Sequence, residues 1–151
     1  MSPSFHNKIL RVDLTQGTIR TDEPGVAYLR RYMGGWNIIA DVLLKEVPPG
    51  IDALGPENKL AFAPGVLTGL PISGASRFAV GAKAPLSNTF GVAETGGSFG
   101  AELKRAGYDP LIVEGVSPRP VYLWIMDGVA ELRDAADLWG CYDSHGIGES
   151  P

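Results

Sequence analysis

Apolar and polar residues alternate near the start of the chain. Leu10, Val12 and Leu14 flank Arg11 and Asp13, which is the period-2 pattern of a strand. Thr15-Gln16-Gly17 predicts a turn, and residues 18–21 return as a hairpin partner. Pro24 opens a helix over residues 26–32, which Gly34-Gly35 breaks. The i, i+4 spacing of Ile38 with Val42 and of Ile39 with Leu43 predicts a second helix over about 37–47, stopped by Pro48-Pro49-Gly50. Residues 59–63, 77–82 and 89–93 read as strands, and the segment 64–75, rich in glycine and proline, as a loop. Gly96-Gly97 opens a short helix in which Phe99 and Leu103 share a face, closed by Gly107. Residues 111–114 form a further predicted strand. The runs 121–126 and 129–133 flank Asp127-Gly128, a strong hairpin signal. The 121–126 run is apolar on both faces and is expected to be central or covered on both sides.

The two halves share an order of elements. Gly34-Gly35, a helix and Leu60-Ala61-Phe62 are matched by Gly96-Gly97, a helix and Leu111-Ile112-Val113, which suggests an internal pseudo-duplication. Strands outnumber helices and most connections are hairpin-like, so the expected class is α+β with mainly antiparallel sheets.

Composition narrows the picture. The 151 residues suit one domain with a real core, and 20 glycines with 12 prolines exclude a helical bundle or coiled coil. A formal charge of −4 without a basic stripe argues against nucleic acid and anionic membranes as partners. No apolar run approaches the roughly 18 residues of a spanning helix, and residues 1–9 carry no apolar signal core. Cys141 stands alone, which suits a reducing cytoplasm and leaves any iron–sulfur ligands to come from elsewhere.

The richest stretch for chemistry is Gly91-Val92-Ala93-Glu94-Thr95-Gly96-Gly97-Ser98. A strand, two glycines and a helix start present backbone N–H groups beside a positive dipole end, which suits an anion. Gly97 stands where a nucleotide phosphate loop requires lysine, and no G-x-G-x-x-G is present, so a nucleotide is not indicated. The competing reading is a glycine-rich helix entry that serves close backbone packing. Arg77 opens a strand after a flexible segment and can clamp a phosphate or carboxylate, or it can pair with a surface carboxylate. Lys83 invites the same two readings. His6 and His145 lack neighbours at ligand spacing, Asp52 and Glu57 fit turns, and no Ser–His–Asp set is present. Trp36, Trp124 and Trp139 fit a core or an interface.

The ordered string of motifs is more specific. It begins Ile9-Leu10-Arg11-Val12-Asp13-Leu14-Thr15-x-Gly17 and runs through Gly34-Gly35, Pro56-Glu57-Asn58-Lys59-Leu60, Leu67-Thr68-Gly69 and Lys83-Ala84-Pro85-Leu86. It continues with Gly96-Gly97-x-Phe99-Gly100-Ala101-Glu102-Leu103-Lys104-x-Ala106-Gly107-Tyr108-Asp109, then Val121-Tyr122-Leu123, and closes with Leu132-Arg133-Asp134-Ala135 and Leu138-Trp139-Gly140. From about residue 7 to 140 it resembles the N-terminal domain of the aldehyde ferredoxin oxidoreductase family, the tungsten-pterin enzymes.

The resemblance implies two stacked, mainly antiparallel six-stranded sheets with outer helices. It implies a cofactor-base domain over residues 1–140, with 141–151 starting the connection to downstream domains. It also implies a tungsten (or molybdenum) bis-pterin centre resting on Arg77, Glu94, Gly96 and Gly97, with no catalytic residue in this stretch. A four-iron four-sulfur cluster, held by cysteines beyond Pro151, would pass electrons to ferredoxin while an aldehyde becomes a carboxylate.

Hydroxy-acid or benzoyl-CoA reductase-like chemistry on the same fold, or a stand-alone module binding an anion or a partner, are the other readings. Assembly with downstream domains and self-association into a homo-oligomer are expected, and 1–151 alone is expected to be inactive. Where the family usually carries Asn, this chain has Glu94. That side chain is expected to turn away from the site, leaving its carbonyl there, or to hold a divalent cation such as Mg²⁺. The family's Gly-Gly-Arg-Gly is here Gly34-Gly35-Trp36-Asn37.

Overall fold

The structure, a computed structural model, describes residues 5–140. Eight strands and three helices follow the order β1 (Ile9–Asp13), β2 (Thr18–Asp22), α1 (Val26–Tyr32), α2 (Gly35–Glu46), β3 (Lys59–Pro64), β4 (Phe78–Lys83), β5 (Phe90–Thr95), α3 (Phe99–Arg105), β6 (Leu111–Glu114), β7 (Val121–Met126) and β8 (Val129–Asp134). Six strands form one sheet in the order β2-β1-β6-β3-β4-β5, and β7 pairs with β8 in a separate antiparallel ribbon. The fold is α+β, as expected.

Two finer expectations do not appear among the described residues. The described residues contain one six-stranded sheet and one two-stranded sheet, where two six-stranded sheets were expected. The reason lies in β6: it inserts between β1 and β3, parallel to β1 and antiparallel to β3, so strands of both halves share one mixed sheet. The duplicated order of elements therefore does not appear here as two separate sheets. The β7 strand is also not central among the described residues. Leu123 and Ile125 pack on the core, while Tyr122 and Met126 are exposed on the outer face.

Helix α2 lies across one face of the large sheet. Its Ile38, Ile39, Val42 and Leu43 are buried against Ala61, Ala63 and Ala79. These side chains are small, so the helix approaches closely. At Gly81 a Cβ would lie 2.6 Å from Ile39 Cγ2 and 3.0 Å from the Gly91 carbonyl oxygen. The opposite face carries Leu10, Val12 and Leu111, covered by Leu103 and Tyr108 and by the inner side of β7–β8.

Strand β1 departs from simple alternation, because Ile9, Leu10, Arg11 and Val12 are all buried. It sits between β2 and β6, with α2 over one face and the second cluster over the other. Arg11 tolerates this position by pairing. Its Nη atoms donate to both oxygens of Glu46 at 2.6 and 2.7 Å, and its Nε lies 2.5 Å from Asp22 Oδ2. Lys59 Nζ lies 3.6 Å from Glu46 and also contacts the Glu114 carboxylate. Five charges of alternating sign thus run Asp22, Arg11, Glu46, Lys59, Glu114 across four strands and the end of α2. The bidentate hydrogen bonds from Arg11 hold the Glu46 carboxyl below the usual carboxylate range, against the opposing effect of burial.

Two outcomes follow from this packing. Gly81→Ala should lower stability by about 1–3 kcal/mol in chemical denaturation, because an added methyl overpacks the α2–β4 contact. Glu46 binds fewer protons folded than unfolded, so its stabilisation is full above the unfolded value of about 4.3 and is lost as pH falls through its lower folded value. Glu46→Gln should therefore flatten the stability profile below about pH 5 and cost about 1–3 kcal/mol near neutrality. That is less than for a fully buried pair, because the Glu46 side chain keeps 29% exposure.

Candidate functional site

The expected site residues meet at one corner of the sheet, where β3 ends and β4 begins. Phe78 pairs with Pro64 on one side and with Thr95 on the other. One residue further along, the same registers set Arg77 between Gly65 and Gly96. Gly65 in turn bridges to Gly34, just before α2. Gly34 takes the place beside β3 that β6 leaves free, since β6 begins only at Leu111, opposite Phe62. Gly34, Gly65, Arg77 and Gly96 therefore form a row, with steps of about 5 Å between adjacent backbones.

Three members of that row have no side chain, and at Gly34 the packing and the backbone both require it. A Cβ on Gly34 would lie 2.3 Å from the Pro64 carbonyl oxygen, and Gly34 also adopts φ +91°. A Cβ on Gly96 would approach Ser76 Oγ at 3.5 Å. Gly97 has φ +87° with open space around it, so backbone conformation alone favours glycine there. The helices that start at this corner, α2 after Gly34 and α3 after Ser98, have no side-chain cap. Their first-turn N–H groups are not bonded by a capping side chain.

Arg77 stands on the α2 side of the sheet, as Ala79 and Gly81 do, and is 71% exposed. Glu94, opposite Ala79, shares that side, and its Oε2 lies 3.6 Å from Arg77 Nη1. The Glu94 side chain therefore does not turn away from Arg77. Among the described residues no group of three or more His, Cys, Asp or Glu is placed to hold a metal ion by itself. Helix α3 packs on the other face, with Gly100 against Phe78 and Phe99 stacked on Phe62 and Phe78 at 5.6 and 5.1 Å. Arg77 is thus beside Gly96 along the chain edge, while the body of α3 lies behind the sheet from its guanidinium.

The remaining candidates resolve as structure. Lys83 Nζ donates to the Ile51 carbonyl at 2.5 Å, and Asp52 accepts from Leu54 N–H in a turn. His6 is exposed, and its backbone N–H donates to Asp109. Trp36 and Trp139 are exposed, and Arg133 stacks over Trp124 at 3.9 Å. Cys141 and His145 lie outside the described residues.

Three residues at the corner were not among the expected site residues: Gly34, Gly65 and Thr68. The buried Thr68 hydroxyl accepts from Gly65 N–H at 2.8 Å and donates to the Arg77 carbonyl at 2.7 Å. Leu67-Thr68-Gly69 was visible as a motif, but only the strand registers bring it to Arg77. A polar cavity of about 370 Å³, lined by Asp13, Glu46, Glu57, Lys59 and Glu114, lies at the opposite end of β3. It belongs to the charge network around α2.

With this geometry in place, comparison with known proteins is direct. The family model described as aldehyde ferredoxin oxidoreductase, N-terminal domain, matches residues 9–147. The tungsten-containing aldehyde ferredoxin oxidoreductase of Thermococcus kodakarensis is 44% identical over 133 residues, 88% of this chain and 22% of that protein. An aliphatic sulfonate oxidoreductase, WOR-like subunit, of Pyrococcus furiosus is 34% identical over 140 residues, 91% of this chain and 22% of that protein. Among solved structures, the active-site complex of benzoyl coenzyme A reductase with 1,5-dienoyl-CoA matches with a TM-score of 0.87 at 38% identity, over 91% of this chain and 21% of that one. The chain spans about a fifth of the length of these relatives. It belongs to the aldehyde ferredoxin oxidoreductase family and corresponds to that family's N-terminal domain.

Proposed function

We propose that residues 1–140 form the floor on which a tungsten (or molybdenum) bis-pterin cofactor rests, with Arg77, Glu94, Gly96 and Gly97 at the contact. The observation that carries this reading is the Gly34–Gly65–Arg77–Gly96 row. It offers a surface of bare backbone around one exposed guanidinium, next to two helix starts without side-chain caps. That donor set fits a phosphate-bearing ligand, because arginine and backbone N–H groups both favour a dianion. Arg77 would hold the phosphate, the glycines would let it approach the backbone, and Glu94 would give way or share a Mg²⁺ ion with it. The bound centre would supply the two-electron chemistry that oxidises an aldehyde to a carboxylate.

A four-iron four-sulfur cluster held elsewhere in the longer enzyme would carry the electrons to ferredoxin in the cytoplasm. The downstream domains would close the pocket, joined through residues 141–151. Strands from those domains would extend the β7–β8 ribbon into a second six-stranded sheet, and a further layer would cover its apolar outer face. The exposed Leu67, Leu70 and Ile72 in the β3–β4 loop would meet either those domains or a second copy in a homo-oligomer.

Relatives named for aldehydes, for aliphatic sulfonates and for benzoyl coenzyme A share this domain at 34–44% identity. Aldehyde oxidation is the preferred reading because the relatives at 44% identity carry that name. Reduction of an aryl coenzyme A thioester remains the second, on the strength of the structural match.

Arg77→Ala in the full-length enzyme should lower the pterin bound per polypeptide at least tenfold, as expected for a lost charge-assisted contact of about 1.5–3 kcal/mol. Its melting temperature without cofactor should stay unchanged, since the Arg77 side chain is 71% exposed and its one ion pair is a surface pair. Normal pterin content in this variant would remove Arg77 from the site. The isolated 151-residue chain should show no viologen-linked aldehyde oxidation, because electrons have no cluster through which to leave.

A further inference from the structure

We infer that Thr68 is a positioning residue: its hydroxyl fixes the backbone of Arg77 in the row and so sets where the guanidinium stands. The inference rests on the cofactor-floor reading for its functional consequence, but the geometry is independent of it. Thr68 is one of the few polar side chains buried among the described residues, at 5% exposure. It lies in the loop between β3 and β4, three residues after Gly65 and nine before Arg77.

Its single hydroxyl uses both of its hydrogen-bonding roles. It accepts from Gly65 N–H at 2.8 Å and donates to the Arg77 carbonyl at 2.7 Å, while Thr68 N–H donates to the Gly65 carbonyl at 3.2 Å. Gly65 and Arg77 are the neighbours that stand one residue beyond the last ladder pair of β3 and β4, Pro64 with Phe78. Where the ladder ends, the hydroxyl takes over the cross-strand connection. An exposed arginine on a loose loop would lose conformational entropy on gripping an anion; one whose backbone is already pinned loses less.

Thr68→Val keeps the shape and removes the hydroxyl, leaving an N–H and a carbonyl at the row without this partner. Thr68→Ser keeps the hydroxyl and removes a methyl.

The test uses the full-length enzyme with four variants: Thr68→Val, Thr68→Ser, Arg77→Ala and Ile112→Val, the last a core change distant from the row. Pterin per polypeptide is measured together with melting temperature. Hydrogen–deuterium exchange over residues 65–77 is measured in the cofactor-free protein. Thr68→Val should lose about tenfold in pterin content, the equivalent of one hydrogen bond left unmade, and its 65–77 segment should exchange about tenfold faster. Thr68→Ser should match the parent in both readouts, and Ile112→Val should keep its pterin whatever its melting temperature.

Parent-like loading and exchange in Thr68→Val, with Arg77→Ala depleted, would overturn the positioning role and leave the cofactor floor standing. Equal loss in Thr68→Ser, or pterin loss in Ile112→Val that tracks melting temperature, would make Thr68 a structural residue only. Undiminished pterin in Arg77→Ala would instead remove Arg77 from the cofactor contact, and with it any functional role for Thr68.

Discussion

The close approach of α2 to the sheet is the constraint on which the other features depend. Ala61, Ala63, Ala79 and Gly81 leave shallow relief on β3 and β4, and Ile38, Ile39, Val42 and Leu43 fill it. The lengths match as well. Twelve residues of helix span about 18 Å, and six residues of β3 span about 20 Å. Because α2 runs antiparallel to β3, its start meets the end of that strand and its end meets the beginning. Gly34 is thereby pressed against Pro64 and Gly65, and Glu46 is placed over Arg11 and Lys59.

The two ends of the helix are held by different physics, which separates stability from the proposed function. At the Glu46 end, charges are largely withdrawn from water and satisfy one another. Isolated burial of Arg11 would be prohibitive, and the alternating series from Asp22 to Glu114 is what makes it tolerable. At the Gly34 end, side chains are withdrawn and backbone is left open. At the first end the charges neutralise one another around a polar cavity. The second has one exposed guanidinium and two helix starts without a side-chain cap, which is the chemistry an anion recognises.

Much of this was legible in the residues. Period-2 and i, i+4 spacing located β1, β2, α2 and the β7–β8 hairpin because those patterns are local. Gly96-Gly97 announced α3 for the same reason. The sheet order was not legible, since nothing in Leu111-Ile112-Val113-Glu114 states that it runs parallel to β1 and lies between β1 and β3. The burial of Arg11 was hidden by its partner, which is 35 positions away on a helix. At the site, Arg77 and Gly96 stood out as residue types, whereas Gly34, Gly65 and Thr68 acquire meaning only when the registers of β3, β4 and β5 are aligned. Motif reading drew attention to the right stretches, and topology decided which of them face one another.

Glu94 is the point at which the row departs most from a simple anion site, and magnitudes decide what it does. An ion pair with N···O of 3.6 Å, in which one side chain is 71% exposed and the other 46%, is a surface pair in water. Such pairs contribute about 0–1 kcal/mol. A phosphate gripping the same guanidinium bidentately, with backbone N–H groups added, gains more than that from each charge-assisted bond. The Glu94 contact therefore holds Arg77 in place without competing seriously with a dianion. It also keeps the corner from being strongly basic in a chain of net charge −4, so a ligand that binds there must bring enough negative charge to displace a carboxylate. A lone monoanion has little advantage over Glu94 itself, whereas a phosphate group has one.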